Sequence, residues 1–277
     1  MLDCLLDALM DTLKIIPYLF ITFLLLELIE HKLTKKTQKA ITKYNKFGPI
    51  IGGIFGGLPQ CGFSAMASNL YTGGVITKGT LIAIFLSTSD EMLPIMLGEK
   101  VSIPLVLNII GFKVIVGIII GLIVDLIIKS KIDDKKIEDM CDEEHCHCKN
   151  GIFISSVIHT MKTTLFLLIA NVVIGLGIYY IGENNLAKLL HSKNILVYFA
   201  SSLIGLIPNC AASVILTEVY LSKLITIGTL LSGLLTGSGI GILLLFKNNK
   251  NIKENLFIIS IIYFVGVIIG FLVDLFI

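Results

Sequence analysis

The chain has 277 residues, of which 55% are hydrophobic and only 15% are charged. A soluble domain carries roughly 25% charged residues, and the mean hydropathy of this chain is +0.91. These values exclude an ordinary globular enzyme, and the formal net charge of +2 is too small to favour nucleic acid as a partner.

Four hydrophilic segments divide the apolar chain into blocks: His31–Lys46, Lys129–Asn150, Gly182–Asn194 and Lys247–Asn255. The remaining residues, roughly 217, allow about nine to eleven crossings at about 20 residues per span. We therefore predict an all-α, polytopic protein of the plasma membrane, with the lipid bilayer as its partner and no separate soluble domain. Because the N-terminal residues are acidic, we expect the first apolar stretch to act as an uncleaved insertion signal.

An internal repeat relates the two parts of the chain. Aligning residues 51–128 with residues 200–277 without a gap gives 25 identical positions out of 78, among them Pro59 with Pro208. Apolar composition explains chance matches of Ile and Leu, but not aligned Pro, Cys, Tyr and Asp. We predict a first transmembrane repeat over 1–128, a hydrophilic linker over 129–150 and a second repeat over 151–277.

Lysine placement predicts that the two repeats have opposite orientations in the membrane. The segment His31–Lys46 contains six lysines and no acid, whereas its counterpart Gly182–Asn194 contains two lysines and one glutamate. Lysine-rich loops stay in the cytoplasm. We therefore predict two inverted five-helix repeats, with both chain termini outside and the linker in the cytoplasm.

Helix-breaking residues interrupt both repeats at matching places. Pro59 and the run 87–90 lie in the first repeat, and Pro208 and the run 236–239 lie in the second. Interrupted helices at corresponding places in inverted halves indicate a transporter with its substrate site near the bilayer midplane. Irregular backbone at that depth must be buried or line a polar cavity. We predict broken or re-entrant helices and a secondary-type transporter rather than a structural membrane protein.

At these positions the sequence resembles the ten-helix heavy-metal exporters, a family whose members are labelled arsenic efflux proteins or manganese transporters. The motifs that carry the resemblance are Gly57–Ser64, Ala67–Tyr71, Phe85–Pro94 and Gly205–Ser213. The resemblance extends over nearly the whole chain, including the linker. It implies a five-plus-five permease for a metal or metalloid ion such as manganese or arsenite, and leaves the substrate open.

Polar side chains accompany the helix breakers and form the predicted substrate site. Gln60 and Asn209 follow the two prolines, where they either bind substrate or satisfy the broken backbone. Cys61 and Cys210 are either ligands or small apolar residues. The predicted substrate-binding residues are Gln60, Cys61, Ser87, Thr88, Ser89, Asp90, Glu91, Asn209, Cys210, Ser213 and Ser238.

Asp90 is the leading candidate for binding a cation or coupling a proton, with Glu91 second. An acid inside an apolar segment is by default a functional residue; the alternative is that Asp90 caps a half-helix. Lys113 is a candidate to pair with these acids. Asp125 and Asp274 end their helices, which favours an interfacial position, and the Gly-x3-Gly pairs indicate close helix packing.

The linker ends in a cluster of thiols and imidazoles among acidic residues. Such a ligand set suits Zn²⁺, Cu⁺ or a similar ion, and the alternative is a solvated acidic loop. We predict a metal-sensing or metal-delivery loop, with the ligands Cys141, His145, Cys146, His147 and Cys148.

The sequence is compatible with three functions other than metal transport. The first is a permease or channel for a small organic solute, whose anionic group would dock on the half-helix N-termini. The second is a passive channel. The third is an intramembrane hydrolase that uses Ser238 with His159, which the missing sequence context disfavours. We predict that the protein is not an enzyme and requires no cofactor. The sequence leaves open whether it forms a homodimer.

Overall fold

The computed structural model describes residues 47–57, 61–88, 92–128, 152–181 and 195–276, with isolated positions between 10 and 24. These ranges are helical and contain no strand. The helices, in chain order, are α1 Gly48–Gly56, α2 Cys61–Thr72, α3 Lys78–Ser87, α4 Met92–Gly98, α5 Ile103–Ile128, α6 Ile152–Ile181, α7 Leu196–Gly205, α8 Cys210–Leu221, α9 Ile227–Thr236, α10 Gly241–Asn248 and α11 Ile252–Phe276.

Three helical stretches of the described residues are long and apolar enough to cross a bilayer. They are α5, α11 and the range Ile227–Asn248, which contains α9 and α10. The two long helices turn large apolar side chains outward: Leu107 is 62% exposed and Phe264 is 55% exposed. Such surfaces are stable when lipid covers them. The predicted all-α membrane class is confirmed.

Helix boundaries recur in the second half at the spacing of the sequence repeat. α2 begins at Cys61 and α8 begins at Cys210; α3 ends at Ser87 and α9 ends at Thr236. The N-cap residues match as well, because Thr77 has φ −79° and ψ 165° and Thr226 has φ −80° and ψ 166°. Residues 149 positions apart therefore occupy corresponding places in the two halves, and their opposite orientation in the membrane stays a prediction.

Within each half, three helices pack closely side by side: α1, α3 and α5 in the first half, and α7, α9 and α11 in the second. Glycines permit this contact. A Cβ atom built on Gly117 of α5 would lie 2.7 Å from the Ala83 carbonyl oxygen, and one on Gly121 would lie 2.5 Å from that of Gly79. The predicted role of the Gly-x3-Gly pairs in helix packing is confirmed.

Short helices of each half pack against helices of the other half. α4 packs against α8, and α10 packs against α2. At the second of these contacts, the Ser68 hydroxyl donates a hydrogen bond of 2.6 Å to the Gly241 carbonyl oxygen. Each of the two large apolar clusters contains residues of both halves; one joins Met96 to Leu216, and the other joins Phe85 to Leu235. The core therefore lies between the halves rather than within each of them.

Candidate functional site

The helix interruption in the second half places several hydroxyl groups inside an apolar range. α9 ends at Thr236 and α10 begins at Gly241, and Gly239 between them has the left-handed φ of 52°. The Thr236 hydroxyl donates to the Gly233 carbonyl oxygen at 2.8 Å and to that of Ser202 at 2.9 Å. Ser238 is fully buried, and its hydroxyl donates to the Thr236 carbonyl oxygen at 3.3 Å.

The beginning of α8 lies against this interruption. A Cβ atom built on Gly237 would lie 3.5 Å from the Ser213 Oγ atom. Asn209 is the N-cap of α8, with its side-chain oxygen accepting a hydrogen bond of 2.9 Å from the Ala211 N–H group. The structure therefore places Ser213 beside the segment that contains Ser238, and gives the Asn209 oxygen a backbone-capping contact.

The interruption in the first half begins in the same way. The Ser87 hydroxyl donates to the Ala83 carbonyl oxygen at 2.8 Å, and the Thr88 hydroxyl donates to that of Ile84 at 2.7 Å. Both residues are almost completely buried. Their hydroxyl groups therefore bond back to carbonyl oxygens near the end of α3, and the Ile84 carbonyl oxygen also accepts from the Thr88 N–H group at 3.0 Å.

Cys61 and Cys210 are the first residues of α2 and α8. The other predicted site residues of the first half and the five predicted ligands of the linker lie outside the described residues; they are Gln60, Ser89, Asp90, Glu91, Cys141, His145, Cys146, His147 and Cys148. Within the described ranges, no three His, Cys, Asp or Glu side chains come together as a metal-binding group.

A lysine inside the helical bundle contacts the first interruption. Lys113 lies at the eleventh position of α5 and is 0% exposed, and its ammonium group donates to the Thr88 carbonyl oxygen. No other charged side chain of the described residues is fully buried. Placing a lysine at the centre of a membrane helix costs about 2.5–3.5 kcal/mol of insertion free energy. The buried position of Lys113 therefore destabilises the protein unless its partners compensate. Sequence reasoning treated Lys113 only as a candidate counter-charge.

Two aspartates bind the beginnings of neighbouring helices in the same way. Asp125 accepts hydrogen bonds from the Thr77 hydroxyl at 2.6 Å and from the Gly79 N–H group at 2.9 Å. Asp274 accepts from the Thr226 hydroxyl and, at 2.9 Å, from the Gly228 N–H group. Each carboxylate lies near the end of its own helix, as expected, and is favourably placed at the positive N-terminus of the next.

A polar cluster joins the two halves at one place. Glu254 of α11 forms an ion pair of 2.6 Å with Lys78 of α3 and accepts a hydrogen bond of 2.6 Å from the Tyr71 hydroxyl. Asn249 donates to the other Glu254 oxygen at 3.3 Å. Sequence reasoning missed this cluster, because residues so distant in the chain carry no local signal of their contact.

A known protein family matches a large part of the chain. Residues 1–181 match a family described as "putative, 10TM heavy-metal exporter". This range is more than half of the chain. The chain belongs to this family. No curated protein and no solved structure is significantly similar to the chain. The resemblance drawn from Gly57–Ser64 and Phe85–Pro94 is confirmed, and membership supports metal transport across a membrane.

Proposed function

We propose that the protein is a secondary transporter of the plasma membrane that exports a metal or metalloid ion such as manganese or arsenite. Family membership supports heavy-metal export in general. The observation that carries the proposal is the interruption between Thr236 and Gly241, inside the range Ile227–Asn248 that is apolar enough to cross a bilayer. Backbone groups freed at such a depth are the usual site of ion and substrate binding in transporters.

The chemistry of the interruptions fits an ion that prefers oxygen ligands. The described residues in the interruptions and at the beginning of α8 carry hydroxyl, amide and main-chain carbonyl oxygens, from Thr88, Asn209, Ser213 and Ser238. Carboxylates of Asp90 and Glu91 would complete a site for Mn²⁺, whereas thiolates of Cys61 and Cys210 would favour trivalent arsenic. In this proposal Asp90 binds the ion. The two halves then move relative to each other around the bound ion and expose it to one side of the membrane at a time.

Flux into proteoliposomes tests the transport proposal. Purified protein is reconstituted, and uptake of Mn²⁺ and of arsenite is measured for the wild type, Asp90→Asn and the matched linker variant Asp134→Asn. We expect Asp90→Asn to abolish flux of the transported ion and Asp134→Asn to retain it, because only the first removes charge from the interrupted segment. Flux of neither ion into wild-type vesicles would contradict metal transport.

Accessibility labelling tests the inverted arrangement separately. Lys39 belongs to the lysine-rich loop of the first repeat, and Lys188 belongs to the corresponding loop of the second. Cysteine is placed at each position in turn in a background that lacks the native cysteines, and a membrane-impermeant thiol reagent is applied to intact cells. We expect the reagent to label position 188 only. Equal labelling of both positions would refute the inverted topology.

A further inference from the structure

We propose that Lys113 is a tethered cation of the transport site, which occupies the carbonyl end of α3 until an incoming metal cation displaces it. This inference rests on the proposed function, because it assigns the residue that competes with the transported ion. It starts from the position of the ammonium group, which donates to the carbonyl oxygen of Thr88 directly after the last residue of α3.

The end of α3 is a place where a cation binds favourably. The last carbonyl oxygens of a helix point away from it and carry the negative end of the helix dipole. In α3 the hydroxyls of Ser87 and Thr88 donate to carbonyl oxygens one turn back, and the carbonyl oxygen of Thr88, directly after the helix, receives the ammonium group. Interrupted helices of transporters present this kind of carbonyl to coupling or substrate cations. Lys113 therefore takes the position of an ion.

The second half shows that helix packing does not require this lysine. The residue equivalent to Lys113 is Ile262, which is also fully buried and belongs to the apolar cluster of Phe85 and Leu235. The equivalent of Thr88 is Gly237, which lies beside Ser213. The two interruptions lie between matching helix ends and differ in charge: the first receives a cation from the protein itself.

The sequence adds a reason for exchange rather than a permanent contact. Asp90 and Glu91 lie two and three positions after Thr88 in the sequence, so two acidic residues follow the end of α3 along the chain. In the proposed function a divalent ion binds Asp90, and an ion that also binds the Thr88 carbonyl oxygen competes with Lys113 for that oxygen. Like charges repel strongly where water is scarce, and the ion therefore enters as the ammonium group leaves.

Equilibrium binding of Mn²⁺ to the purified full-length protein tests this proposal, with wild type, Lys113→Met, Lys113→Arg and the control Ile262→Met. Without the tethered cation, we expect Lys113→Met to bind Mn²⁺ about tenfold more tightly, within the range typical of coupled sites. Lys113→Arg keeps the competing charge and stays at or below wild-type affinity, and Ile262→Met leaves affinity unchanged. Loss of a merely structural contact would weaken binding, so tighter binding separates the two roles.

A second measurement uses the wild-type protein and does not depend on how well the variants fold. Reductive methylation of Lys113 is followed by mass spectrometry with and without Mn²⁺. Displacement of the ammonium group predicts that Mn²⁺ increases methylation at this residue, whereas the fully exposed lysines keep their reactivity. If Lys113→Met does not fold, this measurement alone decides the proposal.

The outcomes distinguish this proposal from the proposed function. In the first outcome the wild-type protein binds Mn²⁺, and folded Lys113→Met binds it equally or more weakly. This result overturns the role of Lys113 and leaves metal transport standing. An unchanged methylation of Lys113 on addition of Mn²⁺ overturns it in the same way. Wild-type protein that binds no Mn²⁺ and transports none overturns Mn²⁺ as the substrate together with the role of Lys113, and the flux of arsenite then decides whether the proposed transport function stands.

Discussion

Replacement of Gly79 by alanine should strongly destabilise the protein. Gly79 lies in the first turn of α3, where its N–H group donates to Asp125 at 2.9 Å. A Cβ atom at this position would lie 2.1 Å from the Gly121 carbonyl oxygen and 2.5 Å from the Asp125 Cγ atom. Both neighbours are held in place, since one is main chain of α5 and the other is a carboxylate with two hydrogen bonds. The helices must therefore separate.

The size of the effect follows from two contributions. Overpacking of a tight contact costs about 1–3 kcal/mol, and loss of a hydrogen bond to a charged group costs about 1.5–3 kcal/mol. We therefore expect Gly79→Ala to lower the free energy of unfolding by about 3 kcal/mol or more. At about 2–4 °C for each kcal/mol in a chain of this size, the unfolding midpoint falls by about 6–12 °C.

Thermal unfolding of the purified protein in detergent measures this effect. Far-ultraviolet circular dichroism is the suitable signal, because the chain is mostly helical and contains no tryptophan. The matched control is Gly111→Ala in α5, where a new Cβ atom would have no heavy atom within 4 Å; it should leave the midpoint unchanged or raise it slightly. Equal midpoints for the two variants would refute the packing argument. Gly228→Ala, which meets Gly270 in the same way, should repeat the loss.

Three further predictions concern the carboxylate contacts and the linker. Asp125→Asn and Asp274→Asn should each lower stability by about 1–3 kcal/mol, and similar midpoint shifts in the two variants would show that the matching contacts carry similar energy; a shift in only one would contradict this. Lys78→Met and Glu254→Gln should each destabilise, and the double variant should lose less than the sum of the single losses, because the second change removes a contact already lost; additive losses in a thermal double-mutant cycle would refute a direct interaction. Deletion of residues 141–148 should abolish tight Zn²⁺ binding, measured by competition with a chromophoric chelator, and leave flux unchanged; lost flux would place the linker in the transport path.

Much of the local organisation could be read from the sequence. The glycine pairs of α5 and α11 predicted close helix contacts, because only glycine allows backbones to approach so closely, and the structure shows these contacts at Gly121 and Gly270. The ungapped repeat relates helix boundaries that recur 149 residues apart, as at Cys61 and Cys210. Local signals such as helix breakers, caps and glycines act within a turn or two of the chain and are therefore visible in it.

Contacts between distant parts of the chain could not be read in the same way. The pairing of Tyr71 and Lys78 with Glu254 depends on where α11 lies relative to α2 and α3. The equivalents of these residues in the other half, Tyr220 and Ile227, pack against an apolar cluster instead. The repeat alone could not decide which place would be polar, because equivalent positions hold different side chains in different surroundings.

The sequence by itself determined that this is a helical membrane protein, built on a duplicated pattern and belonging to a family of metal exporters, since hydropathy, repeated motifs and helix breakers are properties of short segments. Only the tertiary structure decided that α4 and α10 pack against helices of the other half and that the lysine of α5 reaches the end of α3. A buried charge is stable only beside a particular partner, and that partner is chosen by how the helices pack rather than by their order along the chain.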